Sequence, residues 1–203
     1  GQNGAIIITT KRGKSGKITV DYTGNTTIDR PFILPEVQSE YGQGAGGVYN
    51  ANSETSWGPK ITGQTITLWN GKQVAMQGQP DRIKDFYRDG SSLTNTLGIS
   101  GGSEKMQTYF SYGNNKANGI LRNHVLDRHN FDFKIDNSIT DKLSFFTKLS
   151  YIVEDVDNKP FTGERNDATG SIYHAPASIP LSEMQNFEYT DALGNLRQSY
   201  WLP

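Results

Sequence analysis

The sequence predicts an all-β chain folded as an antiparallel up-and-down meander. Three observations point there. Five segments alternate apolar and polar residues with period two, the composition favours strands and turns, and the connections alternate between long and short. Gly (22), Thr (18), Ser (16) and Asn (16) supply strands and turns. The 3 Trp, 10 Tyr and 9 Phe argue against a disordered chain.

The first strand, near 17–28, sets Ile18, Val20 and Tyr22 on one face and Lys17, Thr19, Asp21 and Thr23 on the other. The second, near 93–100, opposes Leu93, Leu97 and Ile99 to Thr94, Thr96 and Ser100. In the third, near 105–114, Met106, Thr108, Phe110 and Tyr112 face away from Gln107, Tyr109 and Ser111. The fourth, near 126–139, is the cleanest, with Phe131, Phe133 and Ile135 against Asn130, Asp132, Lys134 and Asp136. The fifth, near 142–154, sets Leu143, Phe145, Leu149, Tyr151 and Val153 against Ser144, Lys148 and Ser150, with Phe146 as the exception.

The connections sharpen this reading. A long loop covers 29–92, a tight turn Gly101-Gly102-Ser103-Glu104, a longer loop surrounds Ala117-Asn118-Gly119, a short turn falls at Thr140-Asp141, and a second long loop covers 155–203. Alternate connections of a meander share one end of the sheet, so all the long ones lie together. Transmembrane barrels have this asymmetry, with short periplasmic turns and long extracellular loops. Strands of about 9–11 residues cross a bilayer at a tilt, and four of the five reach that length. The expected fold is therefore part of a transmembrane β-barrel, residues 14–203, with lipid against Phe131, Phe133, Ile135, Leu143, Phe145 and Leu149. Asp132, Lys134, Asp136, Ser144 and Lys148 then face a wet interior. Two short helices are expected within the first long loop, from Pro80 to a stop at Gly90 and from Pro35 to Tyr41.

Composition excludes much. Lys plus Arg number 20 and Asp plus Glu 21, a net charge of −1, so no basic field is present for binding nucleic acid. With no cysteine there is no disulfide scaffold, zinc ribbon or thiol nucleophile. The longest apolar run, Ala5–Ile8, is far short of the roughly 20 residues of a membrane helix. The chain opens on Gly1 without a Met, as an internal piece of a longer protein would.

Motifs for chemistry are weak. Gly13-Lys14-Ser15 follows an apolar run, but Ile8 stands where a phosphate loop needs glycine, and a strand rather than a helix follows. Gly42-Gln43-Gly44-Ala45-Gly46-Gly47 lacks a preceding strand and reads as a loop. Asp155-Val156-Asp157-Asn158-Lys159-Pro160 begins like a calcium loop and fails at Lys159 and Pro160. His124, His129 and His174 lack metal-ligand spacing, and Asp132 and Asp136 are separated by Lys134 on their shared face. No nucleophile elbow is present, so neither an enzyme, a metal site nor a bound cofactor is expected. Tyr49, Trp57 and Trp69 remain as candidate ligand-binding residues. They lie among Gly, Asn, Ser and Thr, and Trp57-Gly58-Pro59 makes a rigid corner. Two readings stand: the rings stack on a sugar or peptide, or they pack the loop on itself.

Several short stretches together resemble one family. Gly1-Gln2-Asn3-Gly4-Ala5-Ile6-Ile7-Ile8-Thr9-Thr10-Lys11-Arg12-Gly13 is similar to the end of the plug domain of SusC/RagA-type TonB-linked outer-membrane transporters. Gln2 and Ala5 are mild departures from that family's pattern. Ser56-Trp57-Gly58-Pro59, Ile83–Gly90, Ile99–Lys105 and Gly119-Ile120-Leu121-Arg122-Asn123 follow in the family's order. The resemblance implies that residues 1–13 end a plug and that the first five of about 22 barrel strands follow. It also implies a Gram-negative, Bacteroidetes-like outer membrane and uptake of oligosaccharides or peptides. A SusD-like surface lipoprotein and the TonB complex, reached through segments upstream, would be the partners. A soluble carbohydrate-binding β-sandwich and a non-transporting outer-membrane barrel share parts of the pattern. The sandwich gives no reason for long connections at one end, and the second barrel none for the plug-like opening.

Overall fold

A computed structural model describes residues 13, 15–160 and 168–201. The plug-like stretch 1–12 lies outside the described residues. In chain order the elements are β1 (Gly16–Asp29), β2 (Gly44–Ala45), β3 (Val48–Tyr49), β4 (Thr65–Thr67), β5 (Gln73–Ala75), α1 (Arg82–Phe86), β6 (Gly90–Gly102) and β7 (Met106–Asn118). They continue with β8 (Val125–Thr140), β9 (Leu143–Asp157), α2 (Ala168–His174), α3 (Leu181–Gln185), β10 (Glu188–Thr190) and β11 (Leu196–Gln198). Two compact units result, Gly1–Asp29 with Asp89–Lys159 and Arg30–Arg88 with Pro160–Pro203.

The first unit is one antiparallel sheet in the order β1-β6-β7-β8-β9, a simple meander. All five strands are long, and β6 extends well beyond the range that alternation alone outlines. Its ends are carried by pairing to both neighbours, so glycine and serine suffice where packing is not needed. Cross-strand register then turns five separate alternations into shared rows. Val20, Ile99, Phe110, Phe133 and Leu149 stand opposite one another, and so do Tyr22, Leu97, Tyr112, Phe131 and Tyr151.

The β6–β7 turn is tight because Ser103 N donates to Met106 O at 2.7 Å and Ser103 Oγ accepts from Met106 N at 3.1 Å. Gly102 sits at φ +149°, and a Cβ there would fall 2.1 Å from Met106 O. At the β8–β9 turn, Thr140 Oγ1 accepts from Lys142 N beside a register shift between Ser138 and Thr140. The β7–β8 connection is only residues 119–124, shorter than expected, because β7 continues through Ala117 and Asn118.

The second unit is built from the two stretches read as long loops. They carry three two-stranded hairpins, β2–β3, β4–β5 and β10–β11, and three short helices. Its interior holds two clusters. Ile66, Leu68 and Met76 pack with Tyr49, Ile61 and Val74, while Ala175, Ile179 and Trp201 pack with Met184. Trp69 touches both. The helix expected from Pro80 exists as α1, with Ile83 buried. Pro35–Tyr41 is not helical. Gln38 explains this: its Oε1 accepts from the amides of Glu40 and Tyr41, and its Nε2 donates to the carbonyls of Tyr41 and Ser56. A side chain thus takes bonds that a helix would otherwise make. The Gly42–Gly47 run forms a close crossing rather than a phosphate cradle. Gly44, at φ +134°, would bring a Cβ within 2.0 Å of Val48 O.

Candidate functional site

Two surfaces offer function, one on each unit. On the sheet, the apolar face is open among the described residues: Val20 is 61%, Leu149 63% and Tyr151 66% exposed. Among the described residues, no apolar side chain on this face is buried. An apolar area of this kind marks contact with lipid or another protein. Toward the long connections polar side chains join this face, while Leu93, Val153 and Ile28 remain among them. Rings of Tyr112 and Phe131 lie 5.0 Å apart and those of Phe131 and Tyr151 6.3 Å. Tyr22 donates its hydroxyl to Asn95 Oδ1 at 2.6 Å, and Tyr112 Oη meets His129 Nδ1 at 2.8 Å. Asn95 and His129 belong to the next row toward the long connections, so the aromatic row turns its polar tips away from the apolar band. Beyond it stand Asn114, Lys116 and Asp127, with Asn114 Nδ2 donating to Asp127 Oδ1 at 3.0 Å and Lys116 paired to Asp127 at 3.4 Å. From Tyr112 down to Met106, six residues along β7, the band runs roughly 20 Å at about 3.4 Å per residue.

The opposite face is polar and more enclosed. Ser150 Oγ donates to Asp132 at 2.6 Å, Lys148 lies 3.9 Å from the same carboxylate, and Arg128 pairs with Glu154 at 3.6 Å. Lys134 departs from the expectation that this whole face meets water. It is 5% exposed, and its ammonium lies 5.2 Å from the centroid of the Tyr109 ring. The long aliphatic stem makes such burial tolerable.

In the second unit, Tyr49, Trp57 and Trp69 do not converge. Tyr49 packs on the first cluster and donates its hydroxyl to Thr67 O at 2.8 Å, and burial raises its pKa. Trp57 is 63% exposed beside Tyr41, ring centroids 6.1 Å apart. It borders a cavity of about 340 Å³ with Arg82, Tyr173 and His174. Trp69 borders a different cleft of about 650 Å³, against Tyr200 and the β10–β11 hairpin. Its indole N–H donates to Ser199 Oγ at 3.3 Å.

Sequence reasoning overlooked Arg82. Its guanidinium is buried and donates to the carbonyls of Pro176 (2.5 Å), Ile179 (3.3 Å) and Ala175 (2.5 Å). Burial lowers its pKa to about 10, which leaves it charged at neutral pH. Glu183, also buried, is held by Lys72 and by Asn70 Nδ2. These groups hold the walls of the cavities in place.

No protein-family model matches the chain. The chain is similar to the TonB-dependent receptor SusC of Bacteroides thetaiotaomicron, 28% identical over 121 residues. That match covers 59% of this chain and 10% of the relative's length.

Proposed function

We propose that this chain is part of a TonB-dependent outer-membrane receptor, a transporter rather than an enzyme, in which the five-stranded sheet is one section of the transmembrane barrel. The observation that carries this reading is the exposed apolar face. Its rows run in register across all five strands, and one of them is a row of aromatic side chains in which Tyr22 and Tyr112 bond their hydroxyls to polar neighbours in the next row. Water disfavours such a face, whereas hydrocarbon accepts it, and tyrosine suits the boundary between the two. The polar face, with its charged pairs, then lines the interior of the barrel. A soluble carbohydrate-binding sandwich would cover the apolar face with a second sheet, and among the described residues none of its apolar side chains is buried. The similarity to SusC supports the same reading.

The second unit, formed from the two stretches read as long extracellular loops, belongs on the extracellular side. There it meets an oligosaccharide or peptide substrate and a SusD-like lipoprotein. Import draws energy from the TonB complex through parts of the full-length protein outside this chain.

Neighbouring positions on β9 test the reading. A nitroxide label at Leu149 in the full-length protein should be quenched by lipid-dissolved oxygen and shielded from aqueous nickel chelates, and a label at Lys148 the reverse. Equal aqueous access at both positions would sink the barrel assignment.

A further inference from the structure

We infer that the cleft beside Trp69 binds a neutral saccharide unit, which deepens the receptor reading and rests on it for the ligand's subsequent import. The cleft of about 650 Å³ falls in the range of small-molecule sites. Its aromatic walls are fixed before any ligand arrives. Trp69 is wedged between both hydrophobic clusters and tied to Ser199, while Tyr200 Oη is bonded to Ser171 Oγ at 2.8 Å. Rigid aromatic faces next to polar groups suit a pyranose ring, which presents C–H groups on its faces and hydroxyls on its rim.

The rim groups are also available. Glu188 and Gln198 are register partners across the hairpin, so their side chains leave the same face. With Asn186 they border the cleft, and none of these three side chains has a hydrogen-bond partner among the described residues. Two amides and a carboxylate offer both donors and acceptors, as a hydroxyl requires. Among the described residues, no Lys, Arg or His borders the cleft. Glu188 is its single charge, and it repels carboxylate, sulfate and phosphate. The chemistry therefore selects against acidic sugars.

The test is titration of purified full-length protein in detergent with neutral galacto- and gluco-oligosaccharides, oligogalacturonides and trialanine. Neutral glycans should bind and oligogalacturonides should not. Gln198→Ala and Tyr200→Ala should each weaken binding about tenfold, and Glu188→Gln should admit oligogalacturonides. Retained affinity in both weakening variants overturns the assignment, as does binding of trialanine in place of glycans, or no glycan binding at all. The outcome is separable from that of the receptor reading. Glycan binding through Gln198 in a protein found outside the outer membrane would refute the receptor and leave the cleft standing.

Discussion

The two units use apolar residues in opposite ways. Of ten buried hydrophobic residues among those described, nine belong to the second unit, and only Tyr109 belongs to the sheet. The second unit is an ordinary small interior: Met76, Ile83, Ile172 and Ile179 are wholly enclosed, and polar groups such as Arg82 and Gln43 are bonded to backbone carbonyls. The sheet turns its Val, Leu, Phe and Tyr side chains outward and its Lys134 inward. Backbone pairing over four long ladders holds it together. The same residue types are thus enclosed in one unit and turned outward in the other.

A matched pair of deletions probes that contrast hardest. Leu68→Ala, in the closed cluster, should cost about 2–5 kcal/mol through lost burial and a residual cavity. Leu149→Ala removes a side chain that touches no interior and should leave melting of the detergent-solubilised protein nearly unchanged. Equal losses would show that the outer face of the sheet packs against protein. A somewhat smaller effect is expected from Phe133→Lys, about 2–4 kcal/mol if the position lies at the bilayer midplane and less nearer an interface. Heat-modifiable migration in gels reads this as loss of folded barrel. Normal assembly of Phe133→Lys would argue that lipid does not meet this face.

The smallest effect concerns the hairpin turn of the second unit. Asp191 accepts from Arg197 Nε at 2.8 Å and from the backbone of Asn195 and Leu193, and these bonds hold its pKa below the ordinary carboxylate value of 3.8. A depressed carboxylate pKa adds stability that is present above 3.8 and fades as pH falls through the folded value. Hydrogen exchange at Thr190 and Leu196 should therefore quicken below that pH, and Asp191→Asn should abolish the pH dependence.

The sheet was legible because period two needs no partner to be read: Phe131-Asp132-Phe133-Lys134-Ile135 states its own faces. The continuous aromatic row was not, since it depends on register, and register is fixed by the turns at Ser103 and Thr140. Lys134 illustrates a further limit. Its face follows from alternation, but its burial and its place over the Tyr109 ring do not. The second unit was hidden for a different reason. Its core comes from pieces two to seven residues long, too short for a period, and Trp69 meets Trp201's cluster across most of the chain. Of the three aromatic candidates, Trp57 kept an exposed ring, while Tyr49 and Trp69 were largely committed to packing. No local feature of Pro80-Asp81-Arg82-Ile83 announces that Arg82 will be buried.

The three carbonyls held by Arg82 come 93 to 97 residues later in the chain, after all of β6, β7, β8 and β9. This sets an order in time. During synthesis the first half of the second unit emerges with Trp69 still waiting for Ile179 and Trp201. The clamp cannot close until Ala175 has been made and four strands have passed between. Loop-closure entropy grows only slowly with length, so the delay is more a matter of rate than of final stability. The first-made half of this unit is therefore among the last parts to be finished, and its apolar residues need shelter in the interval.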